Sequence, residues 1–138
     1  MLADSEIMIR FFVSTLAGLM IGYARRHKPA GMRTFALFSL GCTIFTVVSI
    51  NTMMAGVDPT RIIAQIVTGI GFLGLGVIWK QGVGKPTGLT TAASIWVTAA
   101  IGILIGMGMW TEVVAGTVLT LIILFSKRVL LLVGLEKE

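Results

Sequence analysis

Residues 27–34 read HKPAGMRT, and residues 84–91 echo them as GKPTGLTT. Lys28 and Lys85, Pro29 and Pro86, Gly31 and Gly88, and Thr34 and Thr91 coincide at a constant offset. Pro blocks helix continuation and pushes its predecessor toward extended backbone, while Gly supplies shapes that other residues resist. Each copy sits between two apolar blocks of about twenty residues, the length that crosses a hydrocarbon core about 30 Å thick. Both copies therefore read as elbows of helical hairpins in a membrane.

Composition agrees. Only 12% of the 138 residues are charged, against roughly 25% in a soluble domain, too few to clothe a globule. Mean hydropathy is +0.98. The net charge of +5 does not point to nucleic acid, because the basic residues gather at block ends, the pattern of a topology signal. The expected surroundings are a lipid bilayer, with no nucleic-acid partner. Cys42 stands alone inside an apolar block and implies neither disulfide nor metal cage. The N-terminus lacks the basic region and small-residue cleavage site of a removable signal.

Working outward from the elbows, five spans emerge at about 7–24, 34–54, 62–79, 89–109 and 112–132. The expected fold is an all-α integral membrane protein forming one transmembrane domain over 1–138. Connectors rich in Lys and Arg alternate with connectors that are not, which puts the first and third connectors and the C-terminus in the cytoplasm and the N-terminus outside. Tyr23, Trp79 and Trp110 fall at span ends, where amphipathic rings favour the interface; Trp96 lies deeper and is expected to pack. Spans 1–2 and 3–4 form two hairpins repeated in parallel, with the fifth helix outside the repeat.

The bland reading of each elbow is a stiff turn, with Thr34, Thr90 or Thr91 capping the next helix. A sharper reading uses the free N–H groups of that helix start, with Lys28, Arg33 or Lys85 beside them, to hold an anion such as a lipid phosphate. The third span carries TGIGFLGLG at residues 68–76. It lacks the strand–turn–helix setting of a dinucleotide site. Gly69 and Gly76 share a helix face with Gln65, and Gly71 and Gly74 share a nearly opposite one. Glycines on two sides predict a central helix packed on both. Thr91, Ser94, Thr98 and Gly102 form a stripe on the fourth span, with Gly106 one turn on. Gly18 and Gly22 are similarly placed on the first span for close packing. That stripe reads first as interhelical packing and second, with Gln65, as the lining of a polar path. Glu6 and Arg10, one turn apart, read as a local ion pair, and Asp58 reads as a cap before the third span.

One His and one Cys can hardly supply a catalytic constellation, so no enzyme activity and no cofactor are expected. A loose outer metal site has only weak candidates, Glu6 and Asp58.

These motifs in this order resemble the MgtC/SapB family of bacterial membrane proteins. The resemblance is carried by LAGLMIGYAR (16–25), KPAGMRT (28–34), DPTRIIAQIVTGIGFLGLGVI (58–78), GLTTAASIW (88–96) and AAIGILIGMGMW (99–110). Arg10, Arg25, Arg33, Thr34, Asp58, Arg61, Gln65, Thr90 and Thr91 match its pattern and become the functional candidates. Ala24 stands where the family usually has Glu, which puts any role of that carboxylate in doubt, and Leu75 stands where Ala is usual. The chain looks like a short form, without the cytoplasmic C-terminal domain of longer members. The resemblance implies a bacterial inner-membrane protein tied to growth at low Mg²⁺. It further implies a regulator of other membrane machinery, the F-type ATP synthase included, and leaves room for a homo-oligomer. Two functions follow: a non-enzymatic regulator working through helix–helix contacts, or a channel or carrier moving a cation past Gln65, Thr91, Ser94 and Thr98.

Overall fold

The computed structural model describes residues 2–28, 30–53, 58, 60–79 and 87–132. Five helices account for most of them: α1 (Asp4–Ala24), α2 (Met32–Met53), α3 (Thr60–Trp79), α4 (Leu89–Met107) and α5 (Trp110–Leu132). Many of their residues are β-branched; α4 alone reads LTTAASIWVTAAIGILIGM. Thr, Ile and Val are mediocre helix formers in water. In hydrocarbon the ranking matters less, because an unpaired backbone group costs several kcal/mol and a helix satisfies its own.

Helices α1 to α4 are long and apolar enough to cross a membrane. The apolar stretch of α5, Trp110–Ser126, is shorter. Among the described residues, four of the five expected spans are therefore long and apolar enough to cross.

The core is a three-helix junction of α1, α2 and α4. Ile21, Phe35, Ile95, Ile101 and Ile105 are buried in it. Close approaches fix the directions. A Cβ on Gly18 would lie 2.6 Å from the Ala36 Cα, and one on Gly22 would lie 2.5 Å from the Met32 Cα. Helices α1 and α2 thus run antiparallel with their backbones almost touching. A Cβ on Gly102 would meet the Ser39 carbonyl at 2.6 Å, and one on Gly106 the Thr46 Cβ at 2.5 Å. That register makes α2 and α4 parallel neighbours. Helix α5 lies on α4, with Gly116 facing Ile101 and Val113 buried.

Helix α3 departs from expectation. It is the least buried of the four long helices, with 11% of its apolar window covered against 50% for α4. A Cβ on Gly69, Gly71 or Gly76 would meet nothing within 4 Å, and one on Gly74 only the Ala92 Cβ at 3.7 Å. The glycine-rich helix is therefore peripheral rather than central. Its open glycines pack on nothing among the described residues. Periodicity assigned the faces, but lipid is as apolar as a helix neighbour, so small residues alone cannot say which one a face meets. Trp96 is also exposed, at 54%, rather than packed.

Candidate functional site

The polar groups of α1, α2 and α4 converge on one buried seam. Ser14, Ser39 and Thr43 are fully buried. The Ser14 and Ser39 hydroxyls lie 2.9 Å apart. Thr43 Oγ1 lies 2.7 Å from Ser14 Oγ, 3.0 Å from the Ser39 carbonyl and 2.8 Å from the Gly102 carbonyl. One hydroxyl thereby ties all three helices together. The Thr91–Ser94–Thr98 stripe of α4 is buried against the same junction. Ser94 donates to the Thr90 carbonyl at 2.6 Å and Thr98 to the Ser94 carbonyl at 2.7 Å. Those hydroxyls donate to their own helix.

A buried arginine closes each end of the seam. At one end Arg10, 5% exposed, donates to the Gly106 carbonyl and, at 2.5 Å, to Glu6 one turn back. Helix α4 ends there on Gly108, whose φ of +77° is left-handed. The N–H of Gly108 returns to the Ile105 carbonyl and that of Met109 to the Leu104 carbonyl, each at 3.0 Å. This double return leaves the Gly106 carbonyl without a helical partner. The guanidinium supplies one, at the helix end where positive charge is favoured.

The other end has the opposite polarity. Arg25, the C-cap of α1, is 8% exposed and donates to the Thr91 hydroxyl in the first turn of α4. Its Nε is buried without a hydrogen-bond partner. Burial lowers the Arg25 pKa from its ordinary value, though a guanidinium keeps its proton. A cation at the N-terminus of α4 opposes the helix dipole.

The remaining candidates are scattered. Lys28, Arg33, Arg61 and Thr90 are exposed and Thr34 is half-buried. Lys85 lies outside the described residues. Thr90 and Thr91 sit inside the first turn of α4 rather than capping it; the N-cap is Gly88, at φ +85°, where no side chain caps the helix. Asp58 accepts from the Thr60 N–H at 2.9 Å and the Thr60 hydroxyl at 2.7 Å, tethering the start of α3. Those two bonds, the hydroxyl's first, hold its pKa below the usual aspartate value. Gln65 is exposed on a groove of about 400 Å³ between α2 and α3, walled by Leu37, Phe45, Gly69 and Leu73. None of Thr91, Ser94 and Thr98 lines that groove, so the four residues of the expected polar path do not meet. Glu6 is engaged by Arg10, and among the described residues no three His, Cys, Asp or Glu side chains gather to hold a metal.

Residues 11–133 match the MgtC family model. The chain belongs to the MgtC family. Among its MgtC-family relatives, YhiD of Escherichia coli (strain K12), whose name proposes a magnesium transporter, is 43% identical over 131 residues, 87% of this chain and 60% of that protein. Protein MgtC of Brucella abortus (strain 2308) is 45% identical over 105 residues, 75% of this chain and 43% of that one. Protein MgtC of Salmonella typhimurium (strain 14028s / SGSC 2262) is 41% identical over 116 residues, 83% of this chain and 49% of that one. The chain thus spans three fifths or less of the length of these relatives. No solved structure matches it significantly.

Sequence reasoning missed Ser14, Ser39 and Thr43. The signal was there: Ser14, Gly18 and Gly22 recur every four residues, and Ala36, Ser39, Thr43 and Thr46 every three or four. Such small-residue rows mark the seam where membrane helices close on one another.

Proposed function

We propose that this MgtC-family protein is a non-enzymatic regulator in the bacterial inner membrane, tied to Mg²⁺ homeostasis and acting through helix–helix contacts with partner membrane proteins. The observation that carries this reading is the open face of α3. Gly69 and Gly76 on that face invite a backbone to come close, yet nothing among the described residues occupies the space. Charge supports an N-terminus outside, a cytoplasmic C-terminus and two hairpins of like direction: nine of the eleven Lys and Arg residues lie in the first and third connectors or the C-terminal segment. By family resemblance the F-type ATP synthase is one partner to try.

The test replaces Gly69 and Gly76 with Leu in cells grown at low Mg²⁺. A Cβ at either position meets nothing within 4 Å among the described residues, so the protein should fold and insert normally. Loss of growth with full membrane levels supports the contact surface; unimpaired growth sinks it. A second reading, cation transport, is favoured by the name of the E. coli relative. Saturable Mg²⁺ flux into liposomes carrying only this protein would establish it over the first, and would be expected to fall on Gln65→Leu.

A further inference from the structure

We propose that the end of the bundle where α1 finishes and α4 begins binds a phosphate group, held between the Arg25 guanidinium and the first turn of α4. Three observations converge there. Arg25 is more than nine-tenths buried, points at the α4 start through its bond to Thr91, and keeps a buried Nε with no partner. The first N–H groups of α4 have no acceptor within the helix, and Gly88 at the N-cap has no side chain to offer one. Both elements are positive, so an anion between them would relieve their mutual repulsion.

Among the described residues no carboxylate serves. Asp4 and Glu6 lie in the first turn of α1, Asp58 precedes α3, and Glu112 lies in the first turn of α5. All four belong to the opposite end of the bundle. Glu136 and Glu138 complete the six and lie outside the described residues. A phosphate suits this pairing by its chemistry: several acceptor oxygens can span a guanidinium fork and a helix N-terminus together. The exposed Lys28 and Arg33 lie nearby in the chain and add attraction, but Arg25 is the residue that fixes position. The same chemistry comes from an anionic lipid headgroup or from free phosphate. The inference stands whether the protein regulates a partner or moves an ion.

Two arms separate the sources. In maltoside micelles, which carry no phosphate, the full chain is titrated with inorganic phosphate by calorimetry. In nanodiscs of equal parts phosphatidylcholine and phosphatidylglycerol, lipid retained after release is read by native mass spectrometry. Saturable phosphate binding in the first arm assigns free phosphate; retained phosphatidylglycerol in the second assigns the lipid. Whichever signal appears should weaken about tenfold or more in Arg25→Gln, the worth of one charge-assisted hydrogen bond. It should survive partly in Arg25→Lys and fully in Arg26→Gln, since exposed Arg26 stacks on Tyr23 instead. Thr91→Val, which leaves Arg25 in place, serves if Arg25→Gln does not fold, and should also weaken binding. No binding in either arm overturns the proposal. So does equal loss in Arg25→Gln and Arg26→Gln, which would mark diffuse charge, or unchanged binding in Thr91→Val.

Discussion

The Arg10 guanidinium donates to the carbonyl of Gly106, ninety-six residues away, and so finishes a helix that Arg10 does not belong to. The left-handed turn at Gly108 satisfies the Leu104 and Ile105 carbonyls but leaves this one over. A side chain from the first helix thereby sets where the fourth can stop. Because Glu6 holds the same guanidinium at 2.5 Å, the charge is neutralised where it is buried.

Arg10→Gln should therefore destabilise the protein by about 2–3 kcal/mol, the range for a hydrogen bond to a charged group whose partner is then stranded. Thermal unfolding in detergent would show it as a lowered Tm, with Arg10→Lys in between. Gly108→Ala should act on the same end, at about 1–2 kcal/mol, because its φ of +77° resists a Cβ.

The glycines divide into two classes. Gly22→Ala drives a Cβ into the Met32 backbone and should cost about 1–3 kcal/mol as α1 and α2 are forced apart. Gly76→Ala meets open space and should be neutral or stabilising by up to about 1 kcal/mol. Paired unfolding curves in the same micelle check the contrast; equal losses would contradict the peripheral placement of α3.

Thr43→Val keeps the shape of the junction and removes its shared hydroxyl. The Gly102 carbonyl and the Ser14 hydroxyl each lose a neighbour, for a cost of about 0.6–1.7 kcal/mol, the span measured for interhelical hydrogen bonds in membranes. Ser39→Ala, which leaves Thr43 bonded to Gly102, should cost less.

Asp58 gives a dependence on pH. Its pKa is lowered in the folded chain by the Thr60 hydroxyl and N–H, so its tether is complete above the ordinary aspartate range and fades as pH falls through the lowered value. The protection of the Thr60 amide against hydrogen exchange, taken relative to a free peptide at the same pH, should fall once pH drops below the ordinary aspartate range. Asp58→Ala should show the lower protection already at neutral pH.

Much of the fold was legible because the membrane makes it so. Apolar runs of fixed length, broken by Lys-Pro and by Asp-Pro, leave the backbone few choices, and the Glu6–Arg10 pair follows from spacing alone. What could not be read was which neighbour each face meets. TGIGFLGLG advertises close packing more loudly than Ser14, Gly18 and Gly22, yet the quieter row is the one that packs. In water the hydrophobic effect would have ranked the two faces; in lipid both are equally content. The site suffered the same ambiguity: Arg10 and Arg25 stood among eleven cations, and only tertiary contacts reveal that these two are buried.

The seam joins α1, α2 and α4 and passes over α3. A chain emerging from the ribosome inserts α1 and α2 first, and Gly18 and Gly22 let that hairpin close at once. Ser39 and Thr43 meet Ser14 in that hairpin, but their contacts to α4, and those of Thr46, wait while α3 enters. Assembly finishes only when Gly102 and Gly106 arrive, so the order of synthesis and the order of packing differ by one helix.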